Sequence, residues 1–341
     1  MATIFVISQN VKLYPLAHRL QSEGHQVSYF TTPKGAQSIP WPEDSGPRLL
    51  FGGVEEAADL YLLDSGGSGG FGDGLAKERK LYLGGSRLAV RAATNPEFRT
   101  KLGASLFPRL EAEDIPPSEG IRIALSGFFD GANWLAPLSL ILSTNRLMDG
   151  NRGLDIGYSG SLLCQAKTRL VVGEGLTSFL AKAGYRGHLL VNATVCGDRV
   201  VWEGIELDSE IPFLLMWMEL YKGTLFELLM GLSSGLLREL PLRREEFVLG
   251  LRLTLPITEE EIPLPPITLT DDKHLWPDGG VDGVVGCGWV TARGVDISEC
   301  RRRVYRTVER TSPHPALQYR RDIGPYLEAQ YTTLQSWGWV K

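Results

Sequence analysis

The sequence predicts an α/β protein in which an N-terminal parallel sheet is followed by a larger antiparallel one, and three observations carry that reading. Over residues 1–101, short apolar strands alternate with helical patterns, which calls for crossover connections and a doubly wound parallel sheet. From about residue 120 the pattern changes to apolar runs joined by Asp-Gly turns, the mark of hairpins in an antiparallel sheet with helices on one face. Proline-rich connectors over 256–266 then lead into a last segment that carries an Arg-rich helix.

The elements follow in order. Residues 4–7 read as a strand, 16–23 as a helix, and 27–30 as a second strand behind the turn Gly24–His25. A third strand, 60–63, ends at Asp64 and opens the glycine-rich stretch Ser65-Gly66-Gly67-Ser68. A short helix, a strand at 81–83 and the turn Gly84-Gly85-Ser86 complete the first part. In the middle part, 121–128 and 134–143 pair across Asp130–Gly131, and 149–160 reads as a glycine-punctuated loop. A helix at 177–182 ends at Gly184, and 189–195 pairs with 200–205 around Gly197–Asp198. The apolar run 211–237 is interrupted by Glu219, Lys222 and Glu227, so it predicts a buried helix pair and not a membrane span. A strand over 281–290, a helix over 297–310 and the terminal motif Gln318-Tyr319-Arg320-Arg321-Asp322-Ile323-Gly324 close the chain.

Composition narrows the function classes. The chain has 341 residues, enough for two or three cores, and its 43% hydrophobic and 22% charged residues are those of an ordinary soluble protein. A formal charge of −5 argues against broad binding to nucleic acid or to anionic membrane. Cys164, Cys196, Cys287 and Cys300 are widely spaced and pair with no histidine cluster, so neither a zinc site nor a disulfide framework is expected. The first residues lack a basic leader and read as a strand, and the expected compartment is the cytoplasm. The five histidines show no ligand spacing, and the arginines at 301, 302, 303, 306 and 310 spread around their helix as a solvated face.

Two motifs carry a family resemblance. The stretch Asn145-Arg146-Leu147-Met148-Asp149-Gly150-Asn151-Arg152-Gly153-Leu154-Asp155-Ile156-Gly157-Tyr158-Ser159-Gly160 resembles the substrate loop of phosphoribosylamine–glycine ligases, the ATP-grasp enzymes of purine synthesis. Arg146, Asp149, Gly150, Gly153, Gly157 and Gly160 match, and so does the preceding hairpin; Asn145 and the triplet Leu154-Asp155-Ile156 depart from the pattern. The segment Val290-Thr291-Ala292-Arg293-Gly294, the helix behind it and the terminal Gln318–Gly324 motif resemble the family's closing domain in order and spacing.

The resemblance implies an ATP-grasp-like fold: an N-terminal α/β domain over 1–101, a truncated core over 121–240 and an α+β domain over 241–341. Residues 102–120 stand where the family has its small ATP-clamping subdomain, and a stretch of that length with three prolines reads as a linker. Carried over residue by residue, the substrate-binding set is Arg146, Asp149, Asn151, Arg152, Gly153, Asp155, Gly157, Gly160, Arg320 and Asp322. Arg146 and Arg152 would supply the cationic contacts, and the N–H groups of Gly157 and Gly160 would face an anion. ATP and Mg²⁺ are the implied cofactors. At the family's metal strand this chain has Gly204 for the first glutamate and Asp208 for the arginine, leaving Glu203, Glu206 and Asp208 as metal candidates or as a solvated strand end. Ser65, Gly66, Gly67 and Ser68 follow a strand and precede a helix, which suits either a phosphate cradle or a flexible linker. Two functions stay open. One is an ADP-forming ligase joining a small-molecule carboxylate to an amine. The other is a non-catalytic binding or regulatory subunit that pairs with a full-length ATP-grasp paralogue or with itself.

Overall fold

The computed structural model describes residues 1–8, 12–31, 46–50, 57–64, 69–84, 87–98, 119–165, 168, 173–207, 211–256, 274–278, 284–311 and 316–341. Strands β1 (Thr3–Ile7), β2 (Gln26–Phe30), β3 (Arg48–Leu50), β4 (Leu60–Leu63) and β5 (Tyr82–Leu83) form a parallel sheet in the order β3-β2-β1-β4-β5. Helix α1 (Tyr14–Ser22) makes the first crossover and buries Leu16, Ala17 and Leu20. Helices α2 (Gly69–Lys77) and α3 (Arg87–Thr94) follow β4 and β5. Strand order turns back between β1 and β4, the doubly wound arrangement that alternating strands and helices predict. The three-residue β3 and the eight-residue helix α3 are additions, for both are short.

The second sheet is antiparallel and has eight strands in the order β10-β9-β6-β7-β8-β11-β13-β12. Its members are β6 (Ile121–Phe129), β7 (Trp134–Met148), β8 (Arg152–Cys164), β9 (Gly187–Cys196), β10 (Arg199–Glu206), β11 (Phe247–Pro256), β12 (Leu275–Pro277) and β13 (Val284–Gly294). Strands β11 to β13 extend the same sheet past residue 240, so the expected boundary at 240/241 falls inside it. Helix α4 (Glu174–Lys182) joins β8 to β9. One face is covered by α5 (Ile211–Leu220) and α6 (Leu225–Ser234), the expected helix pair. The other carries α7 (Ile297–Thr311) and α8 (Ile323–Ser336). Two close approaches locate them: Gly250 faces Met216 of α5, while Gly160, whose partner Leu251 is the next residue along β11, faces Ile323 of α8.

One expectation is corrected. Residues 152–160 are not a loop: they form the outer half of β8, paired to β7, and only Asp149–Asn151 make the turn. The glycines misled because they mark irregular pairing. Register shifts follow Thr144 and Arg146, and the backbone takes positive φ at Gly150 (70°), Asn151 (58°), Gly153 (82°) and Gly157 (78°).

A polar seam joins the two sheets. Helix α6 opens with a capping box in which the Thr224 hydroxyl accepts from Glu227 N and the Glu227 carboxylate accepts from Thr224 N. Its remaining N-terminal amides, Leu225 N and Phe226 N, donate to the carboxylate of Glu23 behind α1 at 2.9 and 3.0 Å. His25 stacks on Phe226, and the Arg19 guanidinium lies 4.0 Å over the Trp276 ring.

Candidate functional site

The two motifs singled out in the sequence meet in space. Arg320, fully buried, is the centre of the junction. Its Nε and one terminal nitrogen donate to Asp322 at 2.8 Å each, and the other donates to the Thr144 hydroxyl and, at 3.4 Å, to Asn151 Oδ1 and the Arg146 carbonyl. Gly150 N donates to Asp322 at 2.8 Å, and Arg321 N donates to Asp149 at 2.8 Å. Burial pushes the Asp322 carboxyl up, but the hydrogen bonds from Arg320 and Gly150 N outweigh it and hold the group below its usual value. Asp155 in turn accepts from Gly157 N at 3.0 Å.

This arrangement sorts the charges. The aspartates 149, 155 and 322 each accept a backbone N–H, whereas Arg146, Arg152 and Arg321 are exposed around the tip. Arg146 spends one bond on the Gly153 carbonyl at 3.0 Å, and Arg152 makes a long one to the Asp149 carbonyl. The outward side of the turn carries the three arginines together with exposed Asp155, which pairs with Arg146 across the strands, and is flanked by exposed Met148 and Leu154. Gly160 lies inside, against Ile323, so its part is close packing of β8 on α8.

Of the candidate metal residues, Glu203 and Glu206 lie on the α5 face of the sheet. Ser126 receives a bond from Trp217 of α5 and pairs with Leu190, and alternation along β9 puts Asn192 and Thr194 on that same side. Both glutamates of β10 bind those two residues. Thr194 donates to Glu203 Oε1, and Arg122 donates to Glu203 Oε2 from Nε (3.1 Å) and a terminal nitrogen (2.9 Å). Asn192 donates to Glu206 Oε1, and the Tyr158 hydroxyl reaches Glu206 Oε2 at 3.5 Å. Asp208 lies outside the described residues, as do Ser65, Gly66, Gly67, Ser68 and residues 102–118.

These residues do not fit a chelated Mg²⁺. All four oxygens of Glu203 and Glu206 already accept a protein donor, one of them a guanidinium. Among the described residues no three His, Cys, Asp or Glu gather into a metal-holding group.

Further charged groups on this face escape a reading of the sequence. Arg252, nearly buried on β11, pairs with Asp278 at 2.7 Å, donates to the Ile156 carbonyl at 2.7 Å and lies near the Trp289 ring. Buried Glu219 on α5 accepts from the Thr291 hydroxyl at 2.8 Å and meets His274 at 2.6 Å and Arg293 at 3.2 Å. The available signal was Arg252 itself, a lone charge inside the aliphatic run Phe247–Pro256. The arginines of α7 at 301, 302, 303, 306 and 310 are exposed, as a solvated face requires.

No family model matches the sequence, and no curated protein matches it. Solved structures do. Phosphoribosylamine–glycine ligase from Thermotoga maritima superposes with a TM-score of 0.56 at 13% identity, over 94% of this chain and 99% of that one. The biotin carboxylase domain of a single-chain bacterial carboxylase gives 0.57 at 10% identity, over 99% of each chain. A glycinamide-RNase-transformylase T from Mycobacterium tuberculosis gives 0.52 at 15% identity, over 91% of this chain and all of that one. At such identities the likeness speaks for architecture alone, and the architecture is that of the ATP-grasp proteins.

Proposed function

We propose that this chain is a non-catalytic binding or regulatory derivative of the ATP-grasp carboxylate–amine ligases, which holds a small carboxylate- or phosphate-bearing ligand at the β7–β8 turn. The observation that carries this reading is the gathering of three exposed arginines, 146, 152 and 321, around one turn whose aspartates 149, 155 and 322 each accept a backbone N–H. An anion meeting Arg146 and Arg152 gains charge-assisted bonds, and at Arg321 it competes with Asp149, 3.9 Å away. Glu203 and Glu206, committed to protein donors, support the loss of Mg²⁺-dependent phosphoryl transfer. Ser65, Gly66, Gly67 and Ser68, ahead of α2, belong to the same reading as a second phosphate contact. A full-length ATP-grasp paralogue or a second copy of the chain is the expected partner, in the cytoplasm; no helix among the described residues is long and apolar enough to cross a membrane.

The test is a thermal-shift and calorimetric titration with glycine and with ribose 5-phosphate, wild type against Arg146→Ala. Saturable binding of either probe, weakened about tenfold in the variant, is expected from the loss of one charge-assisted contact. Binding equal in both proteins, or none, removes the proposal.

A second reading, an active ADP-forming ligase in purine synthesis using ATP and Mg²⁺, draws on the likeness to nearly the whole of a phosphoribosylamine–glycine ligase. It requires ADP release from Mg²⁺·ATP when amine and carboxylate are supplied together. The binding reading expects no ADP above the level without protein.

A further inference from the structure

The open part of the α5 face carries a cation of its own. We propose that Arg122 takes the place of a divalent ion there, bridging Glu203 to a phosphate-bearing ligand that binds without metal. This deepens the non-catalytic reading above, because it rests on the absence of metal-dependent phosphoryl transfer.

The guanidinium offers two hydrogen-bonding edges. One, made of Nε and a terminal nitrogen, is spent on Glu203 Oε2 at 3.1 and 2.9 Å. The edge carrying the other terminal nitrogen has no partner among the described residues, and the side chain is 69% exposed. Such an edge matches two oxygens of a phosphate group. Glu203 sits at the β-bulge between Trp202 and Gly204, and its second oxygen is held by Thr194, so the carboxylate that orients Arg122 is itself held in place. A divalent ion on the same face would bridge carboxylate to phosphate; the arginine makes that bridge with N–H donors. With both Glu203 oxygens held by Arg122 and Thr194, this arginine is the direct link between sheet and anion.

The experiment is calorimetric titration of the full chain with tripolyphosphate and with ATP. Each is run in EDTA and in excess Mg²⁺, on wild type, Arg122→Ala and Arg122→Glu, with melting curves to show that the variants fold. Both probes should bind in EDTA, Mg²⁺ should not tighten them, and each variant should lose at least about tenfold in affinity. Preference for ATP over tripolyphosphate would assign the ligand to nucleotides; equal affinity would assign it to phosphate alone. Binding that needs Mg²⁺, binding that survives Arg122→Ala, or no binding of either probe overturns the inference. Each titration is repeated in Arg146→Ala, so that phosphate binding at the β7–β8 turn is subtracted; binding that needs Mg²⁺ would count against the non-catalytic reading as well, whereas loss of the Arg122 contact alone leaves the β7–β8 site standing.

Discussion

His188 shows how one residue ties burial to pH. It lies on β9, 2% exposed, with Nε2 2.7 Å from the Ser126 hydroxyl. Ser126 also accepts from Trp217 Nε1 at 2.8 Å, and the second ring nitrogen of His188, Nδ1, has no partner among the described residues. Burial drives the imidazole pKa down to about 3. In the unfolded chain it returns to about 6.5. Above that value both states are neutral and full stability is present. Below it the unfolded chain takes a proton that the folded chain refuses, so stability falls with pH and levels off near the folded pKa. The loss is on the order of 5 kcal/mol in all. Urea denaturation at pH 6 and pH 4 should show a slope in wild type that His188→Gln flattens by roughly 1 kcal/mol per pH unit. Equal slopes in the two proteins would contradict this account.

At the scale of the element, the β7–β8 hairpin is held by glycines of two kinds. Gly157 needs its glycine for conformation: φ is 78° and an added Cβ meets nothing within 4 Å. Gly160 needs it for space, since an added Cβ would come within 2.4 Å of Ile323 Cδ1 and 2.7 Å of its Cγ1. Gly157→Ala should therefore cost about 1 kcal/mol, the strain of a left-handed alanine. Gly160→Ala should cost more, roughly 2–3 kcal/mol, because Ile323 is fully buried and has nowhere to move. Chemical denaturation of the two variants checks the order, and a larger cost at Gly157 would reverse the assignment. The sequence motif placed both glycines but did not separate these roles, since either one reads as a turn.

For the whole molecule, the seam between the sheets sets how the N-terminal part is held. Glu23 closes the amide end of α6 from across that seam, adding two charge-assisted bonds to the Thr224–Glu227 box. Glu23→Ala should lower stability by about 1–2 kcal/mol. It should also speed hydrogen exchange at Leu225 and Phe226, while Lys80, whose amide donates to Leu75 at 3.0 Å behind α2, keeps its protection. Uniform loss of protection would show instead that the two sheets open together.

The sequence by itself determined the elements whose signal is local. Apolar runs and the turns Asp130–Gly131 and Gly197–Asp198 identified β6, β7, β9 and β10, and alternating strands and helices identified the parallel sheet. Order and spacing of two motifs also determined the family likeness that the fold bears out. Only the tertiary structure decided what depends on partners distant in the chain. It turned residues 152–160 from a loop into a strand, because pairing with β7 outweighs the glycines. It showed Arg320 buried beneath the 149–151 turn, some 170 residues away in the chain, and it gave the oxygens of Glu203 to Arg122 and Thr194. A carboxylate's role is set by what lies within about 3 Å of it, and spacing along the chain does not contain that distance.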